Sequence, residues 1–287
     1  MDCQYPLEKM SKLLVIPINK DNFINLNKRN IDGFIIGLKG YSVFTSYDIN
    51  IDEIKEIIKL TDKEIYISIN KPLFVEDIDK LKPIIENLSK LNIKGIIYDD
   101  IGLLNIVKEY NINLIWNQLH LGTNYETCNY WYKKGVKGSI LSTELMLDDY
   151  INIKRNTSLP IFVYIYGYLP MFESSRELLT NYFKYMNSNK KDDVYYLYEK
   201  ERDKYYTIYE NNDNTYILED LIDGIEEVKV LKENNIDYLI LNGLNHLEDK
   251  FNIVVDSYIE ALNGNIIRKS NNKGFLYKET IYKVKNE

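Results

Sequence analysis

A (β/α)8 barrel of the TIM type is the fold this sequence predicts, and three observations predict it. Eight short apolar runs rich in Ile, Val, Leu and aromatic residues alternate with longer amphipathic stretches. The runs are hydrophobic almost without a break, as the strands of a parallel sheet covered by helices must be. An open doubly wound sheet shares this alternation, but "PINKDNF" after the first run holds no glycine, so the phosphate loop of a dinucleotide fold is missing.

In chain order the strands are "KLLVIPI" (12–18), "GFIIGL" (33–38), "EIYISIN" (64–70), "GIIYDD" (95–100), "NLIWNQL" (113–119), "GSILS" (138–142), "PIFVYIYG" (160–167) and "DYLILNG" (237–243). Between them "NIDEIKEIIKLTDK" and "VEDIDKLKPIIENLSKLN" carry apolar residues at helical spacing behind polar starts, and "YETCNYWYKKG" reads as a further helix. The rhythm breaks once, after the seventh strand. There an excursion over 171–223 holds a helix ("SRELLTNYFKYMN"), a lysine-bearing loop and a hairpin of two Tyr-rich strands, "VYYLYEK" and "KYYTIYE". Following strand 7, it would sit over the barrel mouth as a lid, a partner-binding element or plain decoration. The division expected is an N-terminal extension (1–11), a barrel (12–263) and a C-terminal tail (264–287) packed on it.

With 287 residues, 45% hydrophobic and 28% charged, the chain has the composition of a globular domain able to bury a large core. The 26 tyrosines, among abundant Ile, Asn and Lys, are read as codon history rather than as a binding signal. Cys3 and Cys128 are the only cysteines, too few for a disulfide framework or a cysteine-ligated metal cluster within the chain, and a reducing cytoplasm is the expected setting. "MDCQYPLEKMSK" has no apolar core of a signal peptide and no run is long enough to span a bilayer, so no membrane is expected. A net charge of −7 argues against an autonomous nucleic-acid binder, and Lys184, Lys190 and Lys191 read as a solvated loop.

Barrel enzymes build their sites at the C-terminal ends of the strands, so the fold supplies a residue list. It comprises Lys39, Asn70, Asp99, Asp100, Asn117, Gln118, Ser142, Glu144, Tyr166 and Asn242. Asp100 and Glu144 are the pair of interest: two carboxylates at one cavity can relay a proton, hold a divalent ion, or each cap the helix that follows, capping being preferred for Asp100. His120 and His246 lack a spaced carboxylate partner and make a weak metal signal. Ser174 and Ser175 lack the strand–turn–helix setting of a nucleophile and read as a helix cap.

These segments also carry a resemblance. "IIGLKGYS", "YDDIGLLNIV", "NQLHLGTNYETCNYWYKKGVKGSILSTEL", "YGYLPMFESSRELLTNYF", "YLILNGL" and "GFLYKETIYKVK" fall in the order and near the spacing of the collagenase-like peptidase family U32, over about residues 12 to 285. Within it the chain is similar to short Firmicutes-type members implicated in tRNA hydroxylation beside a longer paralogue. The resemblance carries over Asp100, Gly102, Gln118, Thr123, Asn124, Glu144, Gly167, Ser175 and Arg176; Asp100, Glu144 and Tyr166 are the expected catalytic residues, and Gln118, Thr123, Asn124, Gly167, Ser175 and Arg176 the expected substrate-binding positions, beside Lys39, Asn70, Asn117 and Asn242 from the strand ends. Arg176, Lys39 and Asn70 would suit a carboxylate. Members equipped for redox chemistry place a His and two iron–sulfur cysteines where this chain has Tyr166, Pro170 and Glu177, so no cluster, no metal and no other cofactor is expected. The expected function is a cluster-free subunit in hydroxylation of the tRNA wobble uridine, with a cysteine-bearing U32 paralogue, tRNA and a small carboxylate such as prephenate as partners. A peptidase or other hydrolase, and a non-catalytic binding or scaffold barrel, are the alternatives.

Overall fold

The computed structural model describes residues 11–118, 120–192, 194–201, 203–211, 214–270 and 272–278. Residues 1–10 of the N-terminal extension, Cys3 among them, and 279–287 of the tail lie outside the described residues. Twelve strands are described: β1 (Lys12–Ile16), β2 (Gly33–Leu38), β3 (Asp48–Ile49), β4 (Glu64–Ile69), β5 (Gly95–Tyr98), β6 (Leu114–Trp116), β7 (Gly138–Ile140), β8 (Ile161–Ser174), β9 (Val194–Glu199), β10 (Lys204–Asn211), β11 (Asn214–Asp223) and β12 (Tyr238–Asn242). The helices are α1 (Lys20–Asn27), α2 (Ile51–Ile57), α3 (Val75–Ser89), α4 (Gly102–Val107), α5 (Tyr125–Lys133), α6 (Leu147–Arg155), α7 (Leu178–Tyr185), α8 (Val228–Glu233) and α9 (Glu248–Leu262).

All eight predicted barrel strands form. They run in parallel in the order β12-β1-β2-β4-β5-β6-β7-β8, and β12 closes on β8. Asparagines open three of the helices: Asn19 and Asn124 each accept a backbone N–H one turn on, and Asn50 forms a capping box with Glu53.

Alternate residues of each strand point into the lumen or out to the helices. The lumen is filled by Leu14, Ile16, Ile35, Ile97, Ile115, Ile140 and Ile240, with Tyr66, Phe162 and Tyr238 stacked among them. Phe162 and Tyr238 lie ring on ring at 4.0 Å, and Phe162 fits because Gly138 has no side chain: a Cβ there would meet its ring at 2.6 Å. The lumen is a packed core, and sites of such barrels lie over the C-terminal ends of the strands.

The excursion differs from its prediction. Residues 168–174, past the predicted strand end at 167, continue β8 without a break, and an unpredicted strand, β11, pairs antiparallel with this extension and with β10. Irregular pairing hid β11: Leu218 faces Pro170 with register shifts on both sides, which breaks the period-two pattern and gives proline a bulge it tolerates. The tail is tied down by Arg268, which forms an ion pair with buried Asp223, and by Lys273 and Tyr277, both bonded to Glu227, with Leu276 buried.

Candidate functional site

Two hollows lie over the C-terminal ends of the strands. The inner one, about 10 Å³, is lined by Phe44, Asn70, Asn117, Tyr164, Tyr166, Gly167 and Asn242 among others, and is room for about one water. The outer one is a depression of about 420 Å³ lined by Phe44, Asp99, Gln118, His120, Leu121, Pro170, Met171, Phe172 and Glu173. Phe44 and Pro170 line both, and form the wall between them. Phe44 holds a φ of 58°, a left-handed conformation rare for a bulky side chain, and its ring packs edge-on against Tyr216 at 5.4 Å.

Asn70 and Asn242 hold that loop in place. The Asn70 amide accepts from Val43 N at 3.0 Å and donates to Val43 O at 3.2 Å, while Asn242 Nδ2 donates to Phe44 O at 3.0 Å. These predicted binding residues are therefore spent on backbone. Asn117 is 1% exposed and its Oδ1 has no hydrogen-bond partner among the described residues.

Asp100 is a brace at the start of α4, where Ile101 holds the N-cap position. Its carboxylate accepts from Gly102 N at 2.7 Å and from Leu73 N at 3.0 Å, tying the β5–α4 turn to the loop before α3. Glu144 is exposed and lies 3.3 Å from His120, whereas Asp149 supplies the capping carboxylate of α6, bonding Met146 N at 3.1 Å. Tyr166 was expected to face the mouth. A register shift between Ile240 and Leu241 pairs Tyr164 and then Tyr166 with successive residues of β12, and this bulge turns Tyr166 outward onto His246, Phe251 and Tyr258. Burial pushes its phenol up to about 12 and holds the His246 imidazole below its usual range. Gly167 has a φ of 134°, and a Cβ there would meet Asn242 Cβ at 2.8 Å, so its absent side chain serves close strand packing.

The remaining predicted residues are not assembled with these. Lys39 is exposed and its charge acts on Asp48. Thr123 is exposed and Asn124 caps α5. Ser175 and Arg176 are exposed past the end of β8, where the Arg176 carbonyl accepts from Thr215 Oγ1 at 2.6 Å. Of the strand-end list, Asp99 and Gln118 line the depression.

The chemistry of the depression comes from Asp99, on the strand-end list, and from Glu173, which was not on it. Asp99 is pushed up to about 7, first by burial and then by the neighbouring Asp100 charge. Glu173 is also pushed up to about 7, by burial and by Asp99, with Lys71 opposing, and its buried Oε1 has no partner among the described residues. With both raised to about 7, these carboxyls are partly protonated near neutrality, and the protonated form can donate as well as accept hydrogen bonds. Asp99 was on the strand-end list; Glu173 was invisible there because only the continuation of β8 brings it over the mouth.

A cluster does not fit these residues. Cys128 is wholly buried on α5 with its thiol pushed up to about 11 by burial, and Cys3 lies outside the described residues. Tyr166 faces outward, Pro170 sits in a strand and Glu177 precedes α7; none of the three supplies a thiolate.

The family model described as peptidase family U32 matches residues 19–287. The tRNA hydroxylation protein P2 of Bacillus subtilis (strain 168) is 26% identical over 315 residues, covering 96% of this chain and 100% of that protein. The tRNA hydroxylation protein P1 of the same strain is 24% identical over 168 residues, 55% of this chain and 39% of that protein. Among solved structures, a glycoside hydrolase family 18 N-acetylglucosaminidase from Paenibacillus barengoltzii aligns at TM-score 0.46 and 8% identity, over 88% of this chain and 100% of that chain.

Proposed function

The chain belongs to peptidase family U32, and from that premise we propose that it serves tRNA hydroxylation by seating a nucleobase in the rim depression, with no iron–sulfur cluster of its own. The observation that carries this reading is the Asp99–Glu173 pair. A protonated carboxyl offers a donor and an acceptor side by side, which matches the N–H and carbonyl edge of a uracil. Gln118 adds an amide, Phe44 and Phe172 offer rings to stack on, and the volume suits a single base.

The net charge of −7 leaves the phosphate contacts to another molecule. In this reading a cysteine-bearing U32 paralogue carries the tRNA and the redox chemistry, and this chain holds and orients the base. The small carboxylate, prephenate or a similar acid, goes to the paralogue, because a dicarboxylate in this depression would meet Asp99 and Glu173. The hydrolase alternative lacks support: among the described residues no serine or cysteine hydrogen-bonds a histidine, and no three His, Cys, Asp or Glu side chains are grouped to hold a metal ion.

The test is nucleoside mass spectrometry of tRNA from cells whose only copy of the gene encodes Asp99→Asn or Glu173→Gln. Each variant, present at wild-type level, is expected to lose most of the hydroxylated wobble nucleoside, by about tenfold or more. Unchanged modification in both would overturn the reading.

A further inference from the structure

Three side-chain amides line the inner hollow, and two of them are spent on the protein itself. Asn70 Oδ1 accepts from Val43 N at 3.0 Å and from Ser68 Oγ at 2.9 Å, and Asn242 Oδ1 accepts from Leu244 N at 3.0 Å. Asn117 differs. Its backbone N donates to Tyr98 O at 2.8 Å, which fixes the residue just past the end of β6, yet its buried Oδ1 accepts nothing among the described residues. An oxygen so placed calls for a donor.

The size and polarity of the hollow select that donor. About 10 Å³ admits a single water-sized group. No carboxylate lines the hollow, so an ammonium would enter it without a counter-charge. A neutral amino group would bring a second N–H to a hollow in which Asn70 and Asn242 are already engaged. A hydroxyl spends its one proton on Asn117 Oδ1 and leaves no donor over. Phe44 and Pro170 part this hollow from the outer depression. Pro170 is held in β8 opposite Leu218, and the backbone of the Phe44 loop is pinned by Asn70 and Asn242, but the Phe44 ring is only half-buried. Rotation of that ring therefore opens the wall.

We propose, resting on the seating of a base in the depression, that the inner hollow receives the one oxygen that hydroxylation adds to the base. With the Phe44 ring turned aside, the added O–H takes the water-sized space and donates to Asn117 Oδ1. Asn117 is thereby a specificity residue that tells the hydroxylated base from its parent. Of the two uracil carbons that bear hydrogen, C5 is the one next to the C4 carbonyl held by the carboxyl pair, so the probe is 5-hydroxyuridine.

The full chain is titrated with free uridine, 5-methyluridine and 5-hydroxyuridine at about pH 6, below the range in which Asp99 and Glu173 lose their protons, and binding is read from the nucleoside NMR signals. The methyl group matches the hydroxyl in size and has no proton to donate. 5-Hydroxyuridine is expected to bind about tenfold more tightly than 5-methyluridine. Asn117→Leu and Asn117→Ala, both without the acceptor, are expected to bring that ratio to about one, with the unfolding midpoint of Asn117→Leu at or above that of the wild type. Equal affinities in the wild type, or a preference that persists in both variants, overturns the inference; if uridine then binds the wild type and not Asp99→Asn, the seating of a base stands without it. Absence of binding by all three nucleosides also overturns the inference, and the seating is then decided by the tRNA assay of Asp99→Asn.

Discussion

Asp99 and Glu173 make the depression reactive to pH, and the sign follows from their direction of shift. Both are raised to about 7 in the folded chain, above the ordinary carboxylate range of about 4. The folded state therefore binds more protons than the unfolded state between these values, and stability falls as pH rises from about 4 to about 7. Glu173→Gln removes one buried charge and the repulsion that it shares with Asp99. Melting temperatures measured across that range should fall less steeply for Glu173→Gln than for the wild type, with the variant the more stable near pH 8. Parallel curves would show that these carboxyls titrate as in the unfolded chain. None of this was legible at the residue level, because Asp99 and Asp100 are adjacent and look alike. Asp100 satisfies its oxygens with backbone N–H groups and becomes a brace, while Asp99 is left facing a half-buried hollow.

Among the elements, β8 decides what the rim presents. Its first half is a barrel strand that the sequence shows openly; its second half lies past the predicted strand end at 167, where Gly167 and Pro170 punctuate the run. Both residues serve pairing: Gly167 allows the close approach to Asn242, and Pro170 sits between two register shifts opposite Leu218. The bulge that turns Tyr166 outward could not be read from a period-two pattern, since a single extra residue reverses every side chain beyond it. Gly167→Ala should therefore act on stability: a positive φ and a 2.8 Å contact together should cost about 1–3 kcal/mol in denaturant unfolding. Unfolding midpoints equal to wild type would return Gly167 to the list of direct ligand contacts.

For the whole molecule, the barrel was legible because its eight strands are short and apolar, burial on both faces demands a parallel sheet covered by helices, and no glycine-rich loop after the first strand points to a doubly wound sheet. The site was less legible because it is made between parts: Phe44 from one loop, Asp99 and Gln118 from two strand ends, and Phe172 and Glu173 from the excursion. In the proposed function a base of tRNA enters this composite hollow. It is tested most directly with tRNA carrying 4-thiouridine at the wobble position, irradiated in the assembled hydroxylation complex, with the cross-linked peptides identified by mass spectrometry. Cross-links on the segments that hold Phe44, Gln118 and Phe172 are expected, and their loss in Asp99→Asn. Cross-links confined to the paralogue, with this chain's rim untouched, would contradict the account.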